Sequence, residues 1–293
     1  MSKVIVVLSH KGGCGKSETV LNLAYGLAQK GKKVLVVDGD PQCNVTSILM
    51  SELPLSASES DFFLNEYTQL QPEQSQFLAA YQALKKYVEM NRVNYDIHHV
   101  LEGECRVDEA IYSTRYENID IIPSGTELSM TDYQLKNKSL EPYRALRMAL
   151  DKVRDQYDVI LMDNQPFKNA LTFNAIAACV REGDMVLIPT KINRGGLEGT
   201  YETMETIMEW LRSESLPLDI RLLATMVNRN NIDKSWIEAL RKAFGDRMFQ
   251  TTIRYQAKPV EDASMRKRIL LEAYKKGVAE DYQSLVNELD ALE

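Results

Sequence analysis

The chain has 293 residues, 44% hydrophobic and 26% charged, with 35 Lys and Arg against 42 Asp and Glu, for a formal net charge of −7. That balance fits a globular chain long enough for one large α/β domain, and it argues against a polycation, a disordered tail or a disulfide-stapled miniprotein. No apolar run approaches the roughly 20 residues that cross a bilayer.

Met1-Ser2-Lys3 leads straight into an apolar run at 4–8, so the start reads as a core strand rather than an export signal. The loop Leu8-Ser9-His10-Lys11-Gly12-Gly13-Cys14-Gly15-Lys16-Ser17 follows, and Lys16–Gln29 reads as a helix. Strand, glycine-rich loop and helix form the setting of a phosphate-binding loop. Glycines let the backbone fold tightly and turn its N–H groups on an anion, and the helix adds its positive end. Lys16 has the reach for the β- and γ-phosphates of a nucleotide, and Ser17 is a ligand for Mg²⁺. The full G-x-x-x-x-G-K-[ST] pattern is not met, because His10 stands at its first glycine; the sequence fits K-G-G-x-G-K-[ST] instead.

Further strands are expected at 33–38, 119–123, 159–163, 185–189, 221–227 and 249–253. Most are continuous Val/Ile/Leu runs, as in strands buried on both faces. Helices are expected at 141–156, 171–181, 197–213, 234–244 and 279–292. The alternation predicts a doubly wound, mainly parallel α/β sheet with helices on both faces, and ligands at the carboxyl ends of the strands. The phosphate loop, Asp38–Asp40 and Asp163 all fall at such ends. Residues 51–96 break the rhythm: 51–59 is polar and turn-like, and 62–67 and 75–90 look helical, with Phe77, Tyr81, Leu84 and Val88 at helical spacing. They read as a helical insertion within a single domain spanning 1–293. Cys14, Cys43, Cys105 and Cys179 form no C-x-x-C pair and no metal-spaced cluster with His, so reduced thiols in a cytoplasmic setting are expected.

Three motifs in this order resemble the ParA/MinD family of P-loop ATPases, and its ParA/Soj partition branch above all. They are Lys11-Gly12-Gly13-Cys14-Gly15-Lys16-Ser17, Val36-Val37-Asp38-Gly39-Asp40-Pro41-Gln42, and Tyr157-Asp158-Val159-Ile160-Leu161-Met162-Asp163-Asn164-Gln165-Pro166. The likeness covers most of the chain outside 51–96. Three departures stand out: Cys43 where the family usually has glycine, Gln165 where it has the first of two prolines, and Ser17-Glu18-Thr19 in place of threonines.

The resemblance implies an ATP hydrolase dependent on Mg²⁺ and stimulated by a partner. Lys11, Lys16 and Asp40 would be its catalytic residues, with Asp40 orienting the attacking water. Lys11, Gly12, Gly13, Cys14, Gly15, Lys16, Ser17 and Glu18 would hold the nucleotide, and Ser17, Asp38 and Asp163 the metal. Capping of helices at strand ends is the plainer role for Asp38 and Asp163, and a turn for Asp40. Lys11 is implied to reach the ATP of a second copy, making an ATP-dependent homodimer; the plainer alternative is that it completes its own loop. Asn228 matches a place where the family holds the adenine, and it serves equally well as a turn residue. Residues 254–276 carry seven basic side chains against three acidic ones. By the resemblance, Lys258, Arg266, Lys267 and Arg268 would bind DNA without sequence preference; otherwise they form a solvated basic face.

The implied function is segregation or positioning of plasmid or chromosome DNA with a ParB-like centromere-binding adaptor, in the cytoplasm and on the nucleoid. No helix-turn-helix domain is expected ahead of the loop. Two alternatives remain at this level. One is a MinD-like positioning ATPase, disfavoured by an acidic tail at 282–293 where a membrane anchor needs basic residues. The other is a nucleotide-gated scaffold that hydrolyses little.

Overall fold

The computed structural model describes residues 2–51, 59–89, 93–138, 141–213 and 218–292. The first half of the chain runs β1 (Lys3–Val7), α1 (Lys16–Gln29), β2 (Val34–Gly39), α2 (Asn44–Leu49), α3 (Glu59–Leu70), α4 (Gln76–Glu89), α5 (Ile97–Glu102), β3 (Tyr112–Ser113), β4 (Ile119–Ile122) and α6 (Leu128–Lys138). Then come α7 (Ala145–Leu150), β5 (Val159–Asn164), α8 (Ala170–Ala178), β6 (Met185–Lys191), α9 (Arg194–Ser213), β7 (Asp219–Thr225), α10 (Asn231–Phe244), α11 (Ala257–Met265), α12 (Leu270–Ala273) and α13 (Val278–Asp290).

The seven strands form one sheet in the order β3-β4-β2-β5-β1-β6-β7. Every pairing is parallel except β3 with β4, an antiparallel edge that the sequence did not suggest. Alternation along β1 sends Ile5 and Val7 into one apolar layer, with α1 and α13, and Val4, Val6 and Leu8 into the other, with α7 and α8. Both faces are therefore covered, which is why the central strands read as unbroken apolar runs. The register sets Asp38 of β2 beside Asp163 of β5, and Val7 of β1 on the other side of Asp163. Three strand ends thus converge on one spot.

Two expectations are corrected. Residues 249–253 are not a sheet strand; isolated bridges beside them, Leu222 to Met248 and Val227 to Arg254, and single backbone hydrogen bonds, from the Phe249 N–H to Leu222 and from the Ile253 N–H to Ala224, tie this part of the chain to β7 and the residues just after it. The backbone N–H groups of Gln250 and Thr251 are taken by the Glu288 carboxylate of α13, at 2.6 and 2.8 Å, so the ladder cannot run on. The helix expected at 141–156 is only α7 plus a 3₁₀ turn at Arg154–Gln156. Past α7 the chain turns so that Arg154, fully buried, pairs with buried Asp184 and donates to the Ser2 carbonyl at 2.9 Å.

The inserted segment is helical, as α3 and α4. The turn-like stretch expected at 51–59 falls almost wholly outside the described residues, as does the last residue of the helix expected at 75–90. The helical spacing on α4 is real, but its large side chains point outward: Phe77 is 83% exposed, while Ala79 and Ala83 are buried.

Candidate functional site

The loop from Ser9 to Ser17 turns on Gly13 and Gly15, whose φ values of 69° and 86° lie in the left-handed region that favours glycine. A Cβ at Gly12 or Gly13 would meet nothing within 4 Å, so that side of the loop is open. Gly15 caps α1 without a side-chain hydrogen bond, leaving the N–H groups of the first turn available to an anion. The Cys14 thiol donates to the Lys11 carbonyl at 3.2 Å and is buried, so this side chain braces the loop from within.

The two loop lysines have different surroundings. Lys16 opens α1 at 7% exposure and carries its charge toward Asp163. Lys11 is exposed and lies along the start of α9: a Cβ at Gly195 would stand 3.5 Å from its Nζ, and one at Gly199 would stand 2.7 Å from its Cβ. Sequence reasoning missed these glycines as site residues; the run Arg194-Gly195-Gly196-Leu197-Glu198-Gly199, odd inside a helix, was the available signal.

Asp38 and Asp163 are both buried. Asp38 accepts from the Thr46 N–H at 2.8 Å and the Thr46 hydroxyl at 2.7 Å, and from the Asp40 N–H at 3.1 Å. The two Thr46 bonds, from the first turn of α2, were not foreseen from sequence. Asp163 accepts from the Asn164 N–H at 3.1 Å and from Ser17, while its Oδ2 is buried without a hydrogen-bond partner among the described residues. Burial raises both carboxyls above their usual range, and their mutual repulsion raises Asp163 further; Ser17 and Lys16 oppose it. Asp40 accepts from the Gln42 N–H at 2.9 Å and is buried just past the end of β2, at 7% exposure.

These observations fit a nucleotide with a divalent cation. The orphaned Asp163 oxygen beside Ser17 suits a cation that brings its own water and phosphate ligands. Among the described residues no cluster of three or more His, Cys, Asp or Glu offers an all-protein metal cage. Glu18 lies on the first turn of α1 beyond Ser17; its carboxylate accepts from Asn22 Nδ2 at 2.6 Å, and burial pushes it up to about 7.

Cys43, in the place of the usual glycine, adopts φ 54° at the start of α2, so the backbone keeps the glycine conformation without the glycine. Gln165 is buried. Asn228 lies at an exposed turn beside a surface cleft of about 410 Å³ also lined by Arg229, Lys234 and Arg241. Its side-chain amide is within 3.4 Å of Asp233 and of the Met226 carbonyl, so the turn role is already filled.

The basic segment lies on α11, α12 and the bend between them. Arg266 pairs with Asp262 at 3.1 Å and Arg268 with Glu272 at 3.0 Å. Lys267 has φ 51°, its carbonyl held by the Arg115 guanidinium, and Lys258 is exposed. Arg115 is thus a neighbour that sequence could not reveal, 152 positions away. No helix among the described residues is long and apolar enough to cross a membrane.

An AAA domain profile matches residues 2–220. The sporulation initiation inhibitor protein Soj of Bacillus subtilis is 30% identical over 99% of each chain. The chromosome partitioning protein ParA of Caulobacter vibrioides is 28% identical over 98% of this chain and 93% of its own. Among solved structures, a putative plasmid partition protein from Borrelia burgdorferi bound to AMPPNP superposes with a TM-score of 0.69 at 22% identity, covering 100% of this chain and 98% of that one. That likeness extends to the whole sheet and its helices.

Proposed function

We propose that this chain, which belongs to the AAA-domain family and to its Soj- and ParA-like branch, is a partition ATPase dependent on Mg²⁺, working as one unit over residues 1–293. The observation that carries the reading is the pair of lysines: Lys16 faces inward to Ser17 and Asp163, whereas Lys11 is exposed against α9. Lys16 holds the β- and γ-phosphates of its own nucleotide. Gly12, Gly13, Cys14 and Gly15 supply backbone N–H groups, and Glu18 lines the first turn behind them. Ser17 and Asp163 hold Mg²⁺, with Asp38 behind them, and the ion when bound neutralises phosphate charge. Asp40, just past the end of β2, orients the attacking water and polarises it. Lys11 contributes to the nucleotide of a second copy, so that the dimer forms with ATP and completes both sites. A lysine supplied this way stabilises transition-state charge, as arginine fingers do.

The ATP-bound dimer binds DNA without sequence preference through Lys258, Arg266, Lys267 and Arg268, and a ParB-like adaptor speeds hydrolysis and release. The protein would then act in the cytoplasm and on the nucleoid. Because Arg266 and Arg268 are already paired, phosphate contact there means sharing or exchanging those carboxylates. Asn228 is retained as the adenine neighbour, its amide reoriented from the turn.

Steady-state phosphate release tests the catalytic core. Wild type should release phosphate in a Mg²⁺-dependent way, and Asp40→Ala should lower the rate about 10²-fold or more while still binding nucleotide. An unchanged rate in Asp40→Ala removes Asp40 from the mechanism; no release by wild type under any condition removes the ATPase reading.

A further inference from the structure

Arg266, Lys267 and Arg268 form the bend between α11 and α12, and the backbone there has an unusual occupant. The Lys267 N–H donates to the Ser264 carbonyl at 3.0 Å and the Arg268 N–H to the Ala263 carbonyl at 2.9 Å, the paired bonds that close a helix in a Schellman turn. Such a turn holds the residue after the helix cap in the left-handed region, where glycine is the usual choice. Here that residue is Lys267, at φ 51°. A side chain in this conformation costs stability that glycine would not, so what the position gains is the cation itself.

A distant segment holds the bend in place. The turn between β3 and β4 brings the exposed Arg115 onto it, and the guanidinium donates to the Lys267 carbonyl and, at 3.1 Å, to the Tyr116 hydroxyl. Its Cζ stands 5.2 Å from the centre of the Tyr116 ring. The Tyr116 hydroxyl donates to the Glu272 carboxylate at 3.0 Å, and the same carboxylate pairs with Arg268 at 3.0 Å. Tyr25 of α1 meets the Tyr116 ring edge to face, with centroids 5.9 Å apart. The turn is thus fixed to both flanks of Lys267. Both of the Arg115 acceptors named here are neutral, so these bonds aim the guanidinium without cancelling its charge; Arg266 and Arg268, by contrast, each face a carboxylate four residues away.

We propose that the DNA-facing surface continues from this bend onto the β3–β4 turn, with Arg115 as a further phosphate-contacting residue set beside Lys267 by the bond to its carbonyl. The inference rests on the reading of residues 254–276 as a DNA-binding segment. A guanidinium is a planar fork of N–H donors that matches phosphate oxygens, and one fixed on a turn loses little freedom on binding. Such a contact fixes position on the duplex and reads no base. It widens the footprint from one segment of chain to two that lie 152 positions apart.

Anisotropy of a labelled duplex of arbitrary sequence, titrated with protein, Mg²⁺ and a slowly hydrolysed ATP analogue across a salt series, reads the slope of log affinity against log salt. Relative to wild type, Arg115→Ala should reduce the slope by about one for each copy that makes the contact, and affinity at about 0.15 M salt by about fivefold per contact. Arg115→Lys keeps the charge and should keep the wild-type slope. The decisive comparison is made in the Lys267→Gly background, where the left-handed turn needs no holding. There Arg115→Ala should still remove about one per copy from the slope. A slope unchanged by Arg115→Ala, or a loss seen only while Lys267 is present, overturns the proposal: the first makes Arg115 a bystander, the second a prop for Lys267. A wild type that leaves the duplex unbound at every salt concentration overturns the DNA reading of 254–276 as well, which separates the two failures. Should Arg115→Ala not fold, as judged by its thermal transition, Arg115→Gln takes its place in both backgrounds with the same expected loss.

Discussion

Lys11 and Lys16 differ in burial, neighbours and the electrostatic work open to them. Lys16, fixed at the head of α1, lies in the field of Asp163, and its removal takes away the charge that meets phosphate. Lys16→Ala should weaken nucleotide binding by tenfold or more in a fluorescent-nucleotide titration. Lys11→Ala should leave that binding within about threefold, yet cost roughly 10³ in stimulated turnover, the lower end of what a group supplied in trans contributes. The carboxyl pair carries a pH signature. In the metal-free protein Asp163 is held above the usual carboxylate range, so between that range and its folded value the native state binds more protons than the unfolded chain. Stability then falls as pH rises through this window. Asp163→Asn should raise the metal-free Tm at pH 8 by about 3 °C, the size of ~1 kcal/mol in a chain of this length, with little change at pH 4. Cys43, at φ 54°, invites the reverse of a usual glycine argument: Cys43→Gly should stabilise the chain by about 1 kcal/mol in urea unfolding, because it removes left-handed strain at the start of α2.

Among the elements, those with two buried faces were the most legible in the sequence. β1, β2, β5 and β6 are unbroken apolar runs because helices cover both sides of the sheet, and α1 was legible to the residue because the loop fixes its start. The 249–253 stretch has Phe249 and Ile253 around three polar residues, and composition could not show that Glu288, on a helix near the end of the chain, takes the N–H groups of Gln250 and Thr251. The same limit hid Thr46 behind Asp38 and the α9 glycines behind Lys11: these are contacts between distant segments, whereas the loop, Asp38 and Asp163 are marked by local spacing at strand ends. The α9 contact yields a prediction at this scale. Gly199→Ala places a methyl 2.7 Å from Lys11 Cβ, so Lys11 must shift while the phosphate-facing side of the loop stays open. Stimulated turnover should fall at least tenfold with nucleotide affinity nearly unchanged, a split that general unfolding would not produce.

At the scale of the whole molecule, a chain of net charge −7 is proposed to bind a polyanion through one local patch, which makes the interaction dependent on salt and on how many copies present the patch together. DNA affinity should fall with salt at a log–log slope of about −0.9 per phosphate neutralised, and Lys258→Ala should reduce the slope by about one for each copy that makes the contact. The central claim, however, is that the nucleotide site is finished by a second chain. The most direct test is the mass in solution, by light scattering, of wild type and Lys11→Ala with Mg²⁺ and either ADP or a slowly hydrolysed ATP analogue. The account predicts about twice the 33.4 kDa of one chain for wild type with the ATP analogue only, and 33.4 kDa in the other three samples. Wild type at 33.4 kDa with the ATP analogue, or Lys11→Ala dimerising as wild type does, would contradict it.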